Sequence, residues 1–70
     1  MILSDDWGRE AKVREHTFLD IDPKGRVRGN IVGLSGDGLL YRFVMRVRLG
    51  KKPICDIWDC EDGSTWGRDL

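Results

Sequence analysis

Between residues 39 and 49 the chain alternates without a break. Leu39, Tyr41, Phe43, Met45, Val47 and Leu49 fall on one parity, and Leu40, Arg42, Val44, Arg46 and Arg48 on the other. Six apolar residues at a period of two predict a half-buried β-strand whose first set faces the core. Other segments rich in Val, Ile, Phe, Tyr and Trp lie at 12–21, 26–34, 54–60 and 65–68. Between them stand clusters of turn-forming residues: Asp22-Pro23-Lys24-Gly25, Ser35-Gly36-Asp37-Gly38, Gly50-Lys51-Lys52-Pro53 and Glu61-Asp62-Gly63-Ser64. Their backbone preferences suit hairpin loops. Strands broken by turns every ~10–14 residues predict an all-β fold, a five-stranded antiparallel meander forming a small barrel or a strongly twisted sheet.

The start of the chain reads differently. Ser4 followed by Asp5 and Asp6 has the form of an N-cap with acids in a first helical turn, where they complement the helix dipole, and Gly8 limits that helix to a turn or two. The expected organisation is one domain over 1–70, with an N-terminal arm or helical turn at 1–11 and the β meander at 12–69. Ile2, Leu3 and Trp7 are placed to cover one end of the sheet.

The loop at 36–38 sets a register. A three-residue loop with Gly38 in the left-handed conformation puts Ser35 opposite Leu39. Gly33 then faces Tyr41, Ile31 faces Phe43, Gly29 faces Met45 and Val27 faces Val47. On the other face Val32 falls opposite Arg42, Arg28 opposite Arg46 and Arg26 opposite Arg48. Like charges directly opposite are unfavourable, so this register demands that something neutralise the arginine face. The segment 54–60 is the nearest source of acids, but its parity is ambiguous: Ile54, Asp56, Trp58 and Cys60 share one face, and Cys55, Ile57 and Asp59 the other. An outward Trp58 would lie near Arg46 and stack on its guanidinium.

Charge sharpens this picture. The chain has 12 Lys plus Arg and 12 Asp plus Glu, a net charge of zero. Residues 9–52 nevertheless carry 11 basic against 5 acidic side chains, a net of +6, while residues 1–8 carry −2 and residues 53–70 carry −4. Guanidinium groups bind phosphate and carboxylate bidentately and stay charged at physiological pH. Arg26, Arg28, Arg42, Arg46 and Arg48, with Trp58, are therefore the candidate binding residues for an anion or acidic partner. The preferred reading is that acids of the same chain or a second subunit answer them, because zero net charge is unlike the basic domains of nucleic-acid binders. The alternative is a nucleic-acid-binding small barrel using the same face.

The remaining chemistry is sparse. A chain of 70 residues buries only about 60% of its unfolded surface, so the core is thin, and Trp7, Trp58 and Trp66 are expected to include at least one buried and one partly exposed ring. Trp66 is expected to close the barrel. Cys55 and Cys60 sit five apart, an odd spacing that puts them on opposite faces of a strand, so they are read as reduced thiols of a cytoplasmic protein. His16 has no Cys or Asp partner at metal-ligand spacing and is read as a surface residue. Asp20 and Asp22 form an acid pair that turn capping by Asp22 explains. The sequence holds no nucleophile with a base beside it, no phosphate loop, no metal motif, no apolar run of membrane-spanning length and no leader. The expectation is a non-enzymatic protein with no cofactor, no metal and no membrane association.

The string Gly29-Asn30-Ile31-Val32-Gly33-Leu34, leading through a turn to Tyr41–Val47, is similar to strands of SH3-like barrels. That resemblance implies a small barrel used for ribosomal, nucleic-acid or peptide binding. Taken with the thin core, the near-zero net charge and the three tryptophans, it leads to a non-catalytic protein-interaction module that is a homo-oligomer, its partner being a protein or itself.

Overall fold

The computed structural model describes all residues from Met1 to Leu70. Six strands follow one another as a closed antiparallel barrel: β1 (Ile2–Ser4), β2 (Glu10–Ile21), β3 (Val27–Ser35), β4 (Leu40–Leu49), β5 (Lys52–Cys60) and β6 (Thr65–Asp69). The expected all-β small barrel is present, with one strand more than the five predicted. The extra strand is β1, where the sequence pointed to a helical turn. It pairs with β2 through Leu3 and Ala11 and with β6 through Ser4 and Gly67, and so closes the barrel.

The reason for that correction lies in the turn after β1. Asp5 does not cap a helix: its Oδ1 accepts hydrogen bonds from the backbone N–H groups of Trp7 and Arg9 at 3.0 and 2.8 Å, while Gly8 takes a φ of +80°. Asp22 treats Lys24 and Arg26 in the same way. In fact four hairpins use one five-residue unit, Asp5–Arg9, Asp22–Arg26, Ser35–Leu39 and Cys60–Ser64. In each, the first residue's N–H donates to the last residue's carbonyl, and the fourth residue, a glycine, donates to the first residue's carbonyl. This is the three-residue loop with a G1 bulge, which joins adjacent antiparallel strands. The helix dipole argument for Asp5 and Asp6 lost to side-chain capping of a turn.

The core is small. Leu3, Val13, Tyr41, Trp58, Cys60 and Trp66 form its buried cluster, with Met1, Ala11 and Leu39 packed against it. Tyr41 meets Trp66 edge to face at 5.7 Å between ring centres, and Arg9 lies over the same indole. Gly33 faces Tyr41 as the register predicts, and it must be small: a Cβ there would stand 3.3 Å from Val13. Trp66 does close the barrel, and His16 is exposed.

The predicted register of β3 and β4 holds for only three pairs, Leu34–Leu40, Gly33–Tyr41 and Val32–Arg42. Beyond them β3 stays paired with β2 as far as Ile21–Val27, and β4 with β5 as far as Leu49–Lys52. The two long hairpins therefore part as separate arms, β2–β3 two-stranded and β4–β5 backed by β6 as far as Cys55–Asp69, in a molecule measuring 42 × 36 × 19 Å. Ile31–Phe43, Gly29–Met45 and Val27–Val47 do not pair.

Candidate functional site

The parting of the arms leaves a cleft of about 950 Å³ between β3 and β4, lined by Phe18, Gly29–Val32, Arg42, Phe43, Trp58 and the charged groups Glu15, Arg46, Asp56 and Arg68. How arginine comes to sit inside follows from a single residue. Phe43 pairs with Trp58 but Met45 pairs with Ile57, so Val44 is an extra residue in β4. A bulge of this kind reverses the parity of everything after it. Arg46 joins the face of Trp58, and Met45 and Leu49 turn outward to solvent. The sequence-based core face is thus correct up to Phe43 and wrong beyond it. A second bulge at Ile54 in β5 lets the strands resume as Arg48–Pro53.

The same shift settles the parity of β5. Asp56, Trp58 and Cys60 face inward and are buried. Asp56, only 3% exposed, receives Arg46 Nε at 2.8 Å and Nη2 at 3.1 Å, a bidentate pair. This hydrogen bonding, against the opposing pull of burial, holds the Asp56 carboxyl below the usual carboxylate range, and the fields of Arg46, Arg68 and Arg48 add to it. The same contact raises the Arg46 guanidinium above its ordinary value. Arg68 of β6 reaches Glu15 of β2 at 3.5 Å.

The candidate arginines are dispersed. Arg46 is in the cleft with Asp56, and alternation puts Arg48 on the same face. Arg42 lines the cleft, stands across the ladder from Asp59, and makes no ion pair. Arg28 stands across from Asp20 on the β2–β3 arm, and the Arg26 N–H is held by Asp22 in its turn. The cross-strand couples Arg26 with Arg48 and Arg28 with Arg46 do not form, because β3 and β4 have separated. Trp58 is buried at 3% and packs edge to face on Phe43 rather than on Arg46. Its Nε1 is enclosed with no hydrogen-bond partner.

Sequence reading missed the exposed apolar residues of the arms. Phe18, Leu19, Ile21, Val27 and Ile31 are exposed on one arm, and Phe43, Val44, Met45, Leu49 and Ile54 on the other. The signal was present as strand-type residues on both parities of 18–21 and 43–45. The arms also carry free backbone: β3 over 27–31 and β4 over 43–49 have no partner on the sides that face each other. Trp7 is 85% exposed at the tip of the β1–β2 turn.

Fold and site together define a small closed antiparallel β-barrel bearing two hairpin arms with a basic, partly apolar cleft between them. Compared with known proteins, the chain matches no family model, no curated protein and no solved structure. No group of three or more His, Cys, Asp or Glu is gathered as metal ligands, and no helix is long and apolar enough to cross a membrane.

Proposed function

We propose that the protein is a non-catalytic interaction module that self-associates through its two arms, with the cleft arginines answered by acids of the same chain or of a second copy. The observation that carries this reading is the set of ten large apolar side chains left exposed on the arms, together with the unpaired edges of β3 and β4. Singly scattered apolar residues are ordinary on a surface, but five on the two-stranded β2–β3 arm, facing five more on β4–β5, are not, since an isolated hairpin is marginal in water. Unpaired edges of this length are templates for further strands. The two cysteines, both free, accord with a cytoplasmic location. The test is the mass in solution across a range of concentration. A mass that rises above that of one chain, and falls back when Phe18 and Leu19 are both replaced by Ser, supports the reading; a single-chain mass at all concentrations overturns it.

A second reading is favoured by the lining of one cleft, which holds Arg42 and Arg46 together with the rings of Phe18 and Phe43. Cations beside aromatic faces hold single-stranded nucleic acid. Retention of a labelled oligonucleotide at about 50 mM salt, lost as salt rises, supports it, and absence of retention at that salt removes it.

A further inference from the structure

In an antiparallel meander successive turns lie at alternate ends, and here the alternation sorts charge. The turns β1–β2, β3–β4 and β5–β6 share the closed end and bring together Asp5, Asp6, Asp37, Glu61 and Asp62 with only Arg9 among them. The turns β2–β3 and β4–β5, with the outer halves of the arms, share the open end. There Lys24, Arg26, Arg28, Arg46, Arg48, Lys51, Lys52 and Arg68 face Asp20, Asp22, Asp56 and Asp69, a net of +4. The dipole along the sequence is a dipole in space.

We propose that copies of this chain associate head to tail, the acidic β1–β2 turn of one copy seating Trp7 in the cleft between the arms of the next. The inference rests on the self-association proposed above and specifies its partner surface. Trp7 makes no packing contact that would bury it in its own chain, yet a large ring is the type of side chain that anchors interfaces. The cleft offers Ile31, Val32 and Phe43 to the ring. Beside the ring, Asp6 has no hydrogen-bond or ion-pair partner, whereas Asp5 is held by Arg9. Of the three arginines lining the cleft, Arg42 alone makes no ion pair. An Asp6 carboxylate entering with Trp7 thus finds a free guanidinium, and the two ends of opposite sign attract before contact. Such a contact uses different surfaces on the two copies, so it builds rings or filaments rather than a twofold dimer.

The two surfaces can be inactivated separately without touching the core. Trp7→Ala with Asp6→Lys removes the insert, and Arg42→Glu with Ile31→Glu blocks the cleft; all four positions are exposed. Each variant alone should sediment as a single chain at a concentration where the wild type is larger. An equimolar mixture should give a species of one copy of each that grows no further, because the intact turn of the second variant fits the intact cleft of the first. Raising salt from about 50 to about 500 mM should weaken the wild-type association by about tenfold or more. A mixture that stays single-chain overturns the inference, and so does a wild-type mass in either variant, which an edge-to-edge contact between like arms would give in the Trp7→Ala with Asp6→Lys chain. In both cases self-association of the wild type leaves the broader reading standing, whereas a wild type that never associates overturns both. The unmodified protein supplies a second check: acrylamide quenching of its exposed tryptophan should decline as the mass rises, and quenching that stays constant while mass rises also overturns it.

Discussion

Arg46 and Asp56 meet on the Trp58 side of the β4–β5 hairpin because Val44 is one residue too many for the strand opposite. The pair is asymmetric: the acid is enclosed, while the guanidinium keeps access to solvent through the cleft. Removing the arginine therefore strands an enclosed charge. Removing the acid leaves a cation that water can still reach.

Arg46→Ala should accordingly destabilise more than Asp56→Asn. Hydrogen bonds to charged groups are worth about 1.5–3 kcal/mol, and Asp56→Asn should cost the lower part of that range in chemical denaturation. The acid dependence follows from the depressed Asp56 carboxyl. Its contribution is fully present above the unfolded value near ~3.9 and is lost as pH falls through the lower folded value. Wild-type stability should fall more steeply than that of Asp56→Asn below about pH 4; parallel profiles would show that the pair contributes nothing.

The Ser35–Leu39 turn gives a paired test within one loop. Gly38 has a φ of +90°, which an L side chain adopts only with strain, whereas Gly36 has no such angle and open space where a Cβ would go. Gly38→Ala should lower stability by roughly 1–2 kcal/mol. Gly36→Ala should leave it unchanged or raise it by up to about 1 kcal/mol, through a less flexible unfolded chain. Equal effects at the two positions in thermal denaturation would contradict the turn described.

Trp58 and Trp66 differ in one hydrogen bond. The Trp66 Nε1 donates to Ser64 Oγ at 2.7 Å, and the Trp58 Nε1 has no acceptor. An enclosed donor without a partner costs about 1–3 kcal/mol, so Trp58→Phe recovers that penalty while giving up part of the packing on Phe43. It should stay within about 1 kcal/mol of the wild type, while Trp58→Ala should lose about 3–5 kcal/mol. Trp66→Phe, which sacrifices a satisfied bond, should be the more costly of the two Phe variants. The reverse order in urea denaturation would place an acceptor beside Trp58.

These residues also mark what a sequence can disclose. The β class, the hairpin loop at Gly38 and the pairing of Gly33 with Tyr41 were legible because glycine at a turn and strict alternation are local signals. The flip at Val44 was not, since alternation continues through the bulge: nothing in Phe43-Val44-Met45-Arg46 distinguishes a continuous strand from one with an extra residue. The flip is visible only in the pairing with β5, where Phe43 meets Trp58 and Arg46 meets Asp56, and that is a contact between strands. The strand at Ile2–Ser4 was concealed by Ser4, Asp5 and Asp6, whose capping chemistry serves a helix and a turn alike. It could have been found by matching Asp5-x-x-Gly8-Arg9 to Asp22-x-x-Gly25-Arg26. The arginine site was legible as composition but not as geometry. Its members were assigned to one face by a register that ends at Arg42.

Tyr41 is the only tyrosine, so its ionisation can be followed alone by the near-ultraviolet absorbance of phenolate. Burial is the chief cause that pushes its hydroxyl up to about 12 from an ordinary 10, and the neighbouring Cys60 adds to the shift. The phenol is neutral in the folded barrel where an unfolded chain would already ionise. The stability this provides is whole below about pH 10 and is lost as pH rises toward the folded value. Absorbance of the native protein should therefore show little phenolate at pH 11. A chain unfolded in denaturant should show most of it there, and the folded protein's melting temperature should fall between the two values. Tyr41→Phe should remove that alkaline decline without moving the acidic one at Asp56. A native titration midpoint near 10 would mean that the hydroxyl meets water and that the core around Tyr41, Cys60 and Trp66 is open.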